Sequence, residues 1–159
     1  IPAFKDVLKF HPDAVLILAN ASGSYKQEVM NLLEDIDEAR YRLIVFENDI
    51  AALYKLFSCF VHIPKTASAE AFGQIYLEAL ASEIPSVFSL SGVACEFIEN
   101  GKNALVVDYQ NSEQINSAIN RILSDKALDY QLFINGRKDI EKYFSLPLFI
   151  DKLEQIYSL

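Results

Sequence analysis

The feature that most constrains this chain is the alternation of short apolar runs with longer segments of helical periodicity. The runs are apolar almost throughout, which is typical of strands covered on both faces by helices in a parallel sheet. Strands that alternate with helices form right-handed β-α-β units. We therefore predict an α/β fold, a three-layer α/β/α arrangement around a parallel sheet. Its predicted strands are 14–19, 41–46, 59–63, 86–90 and 104–108.

Capping signals indicate where several helices begin. Ser24-Tyr25-Lys26-Gln27 has the spacing of a capping box, Asp49 can cap a short helix through Phe57, and Asn111 or Ser112 can cap another. The segment 73–82 is apolar nearly all round, so we expect its helix to lie deep in the molecule. Further helices are predicted at 3–10, 112–124, 126–143 and 147–158.

The predicted domain organisation is one domain over 1–143 followed by a terminal helix over 144–159, and 159 residues fit one domain. A doubly wound domain usually opens with a strand, whereas this chain opens with a helix, so we expect one strand and its loop to precede it. Such sheets bind ligands at the carboxyl ends of their strands. The candidate site loops are therefore 20–24, 47–49, 64–72, 91–93 and 109–111.

Composition excludes some classes of partner. The net charge of −8 disfavours nonspecific binding to nucleic acid or to an anionic membrane, because both need a cationic face. No segment approaches the roughly 18 apolar residues that a membrane span requires. Cys59 and Cys95 lie in apolar stretches, and we interpret both as reduced core residues of a cytoplasmic protein. The isolated His11 and His62 do not suggest a metal site, and we expect no cofactor or metal.

The sharpest candidate for chemistry is the pair Glu70 and Glu78. Glu70 should lie in the loop after the third strand, and Glu78 in the second turn of the apolar helix, where an anion is costly unless something satisfies it. A ligand with vicinal hydroxyls could do so, and Gly73 would let the backbone approach that ligand closely. Alternatively, Glu70 is an ordinary helix N-terminal charge and Glu78 pairs with a Lys or Arg elsewhere.

The order of short motifs resembles one enzyme family. Glu70-x7-Glu78, with Phe72-Gly73 inside it and Pro85 after it, is similar to the E-x7-E signature of GT-B glycosyltransferases of family 4. Further blocks resembling that family follow in order along nearly all of the chain. They are Ser91-Gly92-Val93-Ala94-Cys95-Glu96, Glu99-Asn100-Gly101-Lys102-Asn103, Gly136-Arg137 and Phe144-Ser145.

The resemblance implies the C-terminal, Rossmann-like, donor-binding half of a retaining glycosyltransferase. Such an enzyme transfers a hexose from a UDP- or GDP-type sugar donor to a glycan or lipid acceptor. The acceptor would be bound by an N-terminal domain that the terminal helix reaches. The whole protein is then expected in the cytoplasm or at the inner face of the membrane, and this piece alone to be inactive.

The resemblance also implies roles for individual residues. Glu78 would hold the ribose hydroxyls, and Glu70 would face the donor hexose as the catalytic-site residue. The backbone at Phe72, Gly73 and Gln74 would contact the donor. Two further pairs are implied, Gly92 and Val93 beside the diphosphate and Glu47 and Ile50 near the base.

Some positions depart from the family pattern or have more than one interpretation. The family's basic pair for the diphosphate belongs to the stretch expected upstream, and the family often has Gly where Glu83 stands. Lys65 is interpreted as solvated rather than as a phosphate ligand, and His62 as a buried hydrogen-bonded residue rather than a catalytic one. Ser22-Gly23-Ser24 is interpreted as a turn and helix cap rather than a phosphate loop.

Two other functions stay open from the sequence. A noncatalytic sugar-nucleotide-binding or regulatory module would carry the same donor-site residues without the basic pair. A dinucleotide-dependent oxidoreductase would need a G-x-G-x-x-G turn after a strand, and this chain contains none.

Overall fold

The computed structural model describes residues 1–19 and 23–158, and over these residues the chain has the predicted α/β architecture. Each predicted strand is present in a shorter form, because one or both of its predicted ends are unpaired. The strands are β1 (Leu16–Ala19), β2 (Tyr41–Ile44), β3 (Phe60–His62), β4 (Ser86–Phe88) and β5 (Leu105–Val106).

Helices alternate with these strands and then follow one another at the C-terminal end. A single 3-10 turn over Glu38–Arg40 leads into β2. The α-helices are α1 (Pro2–Phe10), α2 (Lys26–Leu33), α3 (Ile50–Tyr54), α4 (Gln74–Ala81), α5 (Ala94–Phe97), α6 (Ser112–Ser124), α7 (Lys126–Phe144) and α8 (Leu146–Tyr157).

The strands pair in parallel, as predicted. β1 pairs with β2, and β4 lies between β3 and β5 in a second hydrogen-bonded group. Because all pairs in each group are parallel, the carboxyl ends of β3, β4 and β5 meet at one edge. The loops that follow β3 and β4 therefore lie side by side at that edge.

Helices cover β4 on both faces. One face packs Val87 and Leu105 against Ala118 and Ile122 of α6. The opposite face packs Phe88 among Tyr76, Leu80 and other side chains of α4 and α5. Every residue of β4 is buried, whereas Leu43 and Val61 in β2 and β3 are more than a third exposed. The prediction of strands buried on both faces is thus confirmed for β4 but too strong for the others.

Several local predictions need correction. Ser24 does not cap α2: the helix begins at Lys26, and no side chain bonds to its first N–H groups. Asp49 does cap α3 by accepting from the Ala52 N–H at 2.9 Å, but the helix ends at Tyr54 rather than at Phe57. The prediction of Cys95 as a core residue is wrong, because its side chain is exposed on the short helix α5.

The terminal helix α8 follows α7 after a single residue, Ser145, close to the predicted boundary. It has no buried residue, and its apolar side chains Phe149, Ile156 and Tyr157 are between 57% and 84% exposed. The idea that α8 reaches another domain stays a prediction. Within the described part of the chain, no helix is long and apolar enough to cross a membrane.

Candidate functional site

The two predicted carboxylates lie where the sequence places them. Glu70 is in the loop between β3 and α4, and Glu78 is in the second turn of α4. Both side chains are partly buried. A helix that follows a parallel strand starts at that strand's carboxyl end, so the loop and the start of α4 form one edge of the sheet.

Glu70 is held by residues from two different strands. Its Oε1 is 3.1 Å from Nε2 of His62, the last residue of β3, and the Nε2–H tautomer donates this bond. Its backbone N–H donates to Oγ of Ser91, which follows β4, at 3.0 Å. The Ser91 hydroxyl in turn donates to the Ala67 carbonyl at 2.9 Å, so it joins two points of the loop to the β4 edge.

The His62 ring is largely withdrawn from solvent, with its side chain 20% exposed. It meets the Tyr76 ring edge-on, with centroids 5.0 Å apart and an interplanar angle of 80°. Burial lowers the pKa of His62 from its usual 6.5, and the neighbouring Glu70 carboxylate opposes that shift without cancelling it. His62 is hydrogen-bonded as predicted but only partly buried, and its interpretation as noncatalytic stays a prediction. Its partner is the carboxylate that the resemblance assigns to the hexose.

Two glycines allow neighbouring segments of the chain to approach each other closely at this site. Gly92 has φ +57°, and a Cβ there would lie 2.5 Å from the Phe72 carbonyl oxygen and 3.2 Å from that of Glu70. Gly73 caps the N-terminus of α4 with φ +84°, and a Cβ there would lie 2.8 Å from the Tyr76 ring. Both positions therefore require a residue without a side chain.

The loops after β3 and β4 are also joined by a backbone bond. The Val93 N–H donates to the Phe72 carbonyl at 2.8 Å. That N–H is therefore not available to a diphosphate while the loop keeps this conformation. The side chains of Phe72 and Gln74 are both exposed beside it, at the start of α4.

Glu78 is bonded to a tyrosine rather than to a base. The Tyr54 hydroxyl donates to Oε2 of Glu78 at 3.2 Å, and no Lys or Arg pairs with Glu78 among residues 1–19 and 23–158. Burial and the Glu78 charge both raise the pKa of Tyr54, so its hydroxyl stays protonated as a donor. Tyr54 ends α3, and Ile50 begins that helix four residues earlier on the same face.

The other residues considered from the sequence lie before α3, in the loop after β3 and in the loop after β1. Glu47 precedes α3, and its Oε1 accepts from the Asp49 N–H at 2.8 Å. Lys65 is exposed, but its ammonium lies 3.9 Å from the centroid of the Tyr25 ring and also bonds to that hydroxyl. Gly23 and Ser24 form an exposed turn, whereas Ser22 and most of the 20–24 loop lie outside the described residues.

No cluster of three or more His, Cys, Asp or Glu side chains that could hold a metal occurs in the described ranges. The expectation that the protein works without metal or cofactor stays a prediction. So does the expectation that it does not bind nucleic acid.

Comparison with known proteins decides the family. Residues 1–139 match the family model described as Glycosyl transferases group 1. The chain belongs to this family. The predicted resemblance is therefore confirmed at the level of this family.

Individual relatives agree with the family. The chain is 25% identical to spore coat protein SA of Bacillus subtilis, over 99% of this chain and 44% of that protein. It is 28% identical to the capsular polysaccharide biosynthesis glycosyltransferase CapM of Staphylococcus aureus, over 89% of this chain and 40% of that protein. The chain thus spans less than half the length of these curated relatives.

A solved structure confirms the fold. The Anabaena HepE structure in complex with UDP-glucose superposes with a TM-score of 0.85 at 21% identity, over 99% of this chain and 44% of that chain. At this identity the likeness establishes the fold alone. It confirms the predicted Rossmann-like α/β fold.

Sequence reasoning missed the residues that hold the two carboxylates. Tyr54 lies in a short helix whose periodicity indicates only packing, and Ser91 was part of a motif without an assigned contact. Tyr76 is fully buried, and its hydroxyl donates to the Ser89 carbonyl at 2.8 Å. The one local signal for Tyr54, Tyr76 and Ser91 is that each carries a hydroxyl in an apolar segment. A buried hydroxyl needs a hydrogen-bond partner.

Proposed function

We propose that this chain is the donor-binding part of a retaining glycosyltransferase. The parent enzyme would transfer a hexose from a UDP- or GDP-type sugar to a glycan or lipid acceptor held by an N-terminal domain. We further propose a cytoplasmic location, at the inner membrane face where the acceptor is a lipid. The free thiols of Cys59 and Cys95 fit a reducing compartment.

The observation that carries this proposal is the placement of Glu70 and Glu78 beside the open start of α4. An ionised carboxylate has about four acceptor positions, so Glu78 can accept ribose hydroxyls while it keeps the Tyr54 bond. The first N–H groups of α4 have no side-chain cap, and such groups favour an anion or a sugar hydroxyl. Glu70, in the same loop four residues before α4 begins, would then reach the hexose.

The proposed transfer needs little acid–base chemistry from this half of the enzyme. The bond from the anomeric carbon to the diphosphate oxygen breaks, the bond to the acceptor oxygen forms, and the proton of the acceptor hydroxyl passes to an oxygen of the departing diphosphate. Charge develops on the departing diphosphate, so stabilising that charge would be the main catalytic contribution. Cationic groups outside this chain would supply part of that stabilisation, so this chain alone should bind donor weakly without turnover.

The test is a thermal-shift panel of UDP, GDP, ADP, UDP-glucose, GDP-mannose and NAD against this chain. A ligand that binds only the folded state raises the melting temperature. We expect one nucleoside diphosphate and its sugar conjugate to do so, and Glu78→Ala to abolish the shift.

Glu34→Ala is the matched control. Glu34 is exposed at the C-terminal end of α2, a helix that joins β1 and β2 and contributes no residue to the candidate site. It should leave the nucleotide shift unchanged. A shift that survives in Glu78→Ala would contradict the proposal, and a shift with NAD alone would point to an oxidoreductase.

A further inference from the structure

We infer that His62 is a positioning residue for Glu70, fixing the carboxylate in the orientation that binds a hydroxyl of the donor hexose. This inference rests on the proposed function and extends it to a residue outside the E-x7-E motif. It assigns the recognition of the sugar to a pair of side chains rather than to Glu70 alone.

The geometry supports a directed role rather than incidental packing. His62 Nε2 and Glu70 Oε1 are 3.1 Å apart, and their side chains are only 20% and 32% exposed. Partial burial makes such a bond stronger than one at the open surface, where water competes for both groups. A glutamate side chain is otherwise flexible, so this bond removes much of its freedom.

His62 is itself held at its backbone and at its ring. It extends from a strand that pairs with β4, its carbonyl accepts from the Ser89 N–H at 3.2 Å, and its ring abuts Tyr76. Tyr76 is fully buried, with its hydroxyl bonded to the Ser89 carbonyl. The imidazole, attached to the sheet, can therefore hold the Glu70 carboxylate in a fixed position although Glu70 lies in a loop.

Glu70 retains an oxygen for ligand. His62 bonds to Oε1, and over the described residues no hydrogen bond to Oε2 is found. The backbone of Glu70 is held separately by Ser91. One side of the carboxylate is thus fixed, and the other can accept from a sugar hydroxyl.

The first test measures the coupling without any ligand. The chain has two histidines, so NMR titration of the imidazole signals resolves His62 with His11 as internal reference. The titratable groups facing His62 are Glu70 and Tyr76. Because the Glu70 charge raises the pKa of His62, Glu70→Gln should lower it, and Glu34→Gln should not. An equal His62 pKa in all three proteins would overturn the pairing.

The second test separates sugar recognition from nucleotide recognition. Calorimetry would compare UDP with UDP-glucose, or GDP with GDP-mannose if the panel selects guanine, in wild type, His62→Phe and His62→Gln. Phe keeps an aromatic ring against Tyr76 but loses the donor, whereas Gln keeps an N–H. We expect nucleotide affinity to be unchanged in both, and the extra affinity from the sugar to fall about tenfold in Phe and recover in Gln.

Each result has one meaning. An undiminished sugar contribution in His62→Phe overturns the positioning role while leaving the donor site intact. Equal losses for nucleotide and sugar nucleotide show a merely structural role and also overturn it. If wild type binds neither ligand, the proposed function fails and the sugar role of His62 fails with it, although the titration still decides whether the pair exists.

Discussion

Replacing Gly92 by alanine should destabilise the fold far more than the same change at Gly101. Both glycines have positive φ, +57° and +74°, where an alanine costs roughly 1–2 kcal/mol. At Gly101 a Cβ would meet nothing within 4 Å. At Gly92 it would lie 2.5 Å from the Phe72 carbonyl oxygen, a backbone atom that cannot rotate away.

The difference between the two variants isolates the steric term. The loss of unfolded-chain entropy on Gly→Ala is the same at both positions and cancels. Forcing atoms into a packed site costs typically about 1–3 kcal/mol, so we expect Gly92→Ala to be less stable than Gly101→Ala by that amount. The clash also pushes the 70–72 loop away from Gly92 and strains the bond between the Val93 N–H and the Phe72 carbonyl.

Urea unfolding followed by far-UV circular dichroism measures the difference, because the chain has no tryptophan for fluorescence. Under the proposed function, Gly92→Ala should also weaken donor binding, and Gly101→Ala should not. Equal unfolding free energies for the two variants would refute the reasoning, since they would show that the loop is not held against Gly92.

Two further predictions concern stability at other unusual positions. Glu83, where the family often has Gly, has φ +64°, and its ion pair with Arg137 is exposed. Glu83→Gly should therefore be more stable than Glu83→Ala by roughly 1 kcal/mol in the same unfolding assay. A glycine variant that is less stable than the alanine variant would contradict this. Asn103 is fully buried, and its Nδ2 donates to the Asp139 carboxylate at 2.8 Å, so Asn103→Ala should lower the free energy of unfolding by roughly 2–4 kcal/mol. Asn100→Ala loses one exposed hydrogen bond and should lower it by about 1 kcal/mol or less. Similar losses in the two variants would contradict the buried hydrogen bond of Asn103.

The elements of this fold could largely be predicted because their signals are local. Apolar runs bounded by polar residues gave all five strands, and helical periodicity gave the positions of α4, α6, α7 and α8. The failures also have local causes. The serine at position 24 has capping chemistry, but the chain makes a turn there and α2 starts two residues later. Cys95 follows an apolar stretch, yet its short helix turns that side chain to solvent.

The partners of the site residues could not be predicted because they come from distant parts of the sequence. Tyr54 lies 24 residues from Glu78, and Ser91 lies 21 residues from Glu70. Parallel strands bring such residues together only once the register is set, and nothing within a single segment specifies it. Glu78 could be singled out from the sequence because a charge in an apolar helix needs a partner. Glu70 lies outside that helix, and only the motif spacing pointed to it.

The spacing between Glu70 and Glu78 has a physical basis other than helical periodicity. Glu70 lies four residues before α4 begins, and the left-handed Gly73 redirects the chain between the two carboxylates. The relation between them is therefore set by the loop, which Ser91 and Val93 fasten to the next strand's loop. An insertion between residues 70 and 73 would leave α4 and Glu78 in place but carry Glu70 away from His62 and Ser91. The spacing of the motif thus reflects the length of loop needed to keep Glu70 bonded beside the loop that follows β4 while α4 holds Glu78.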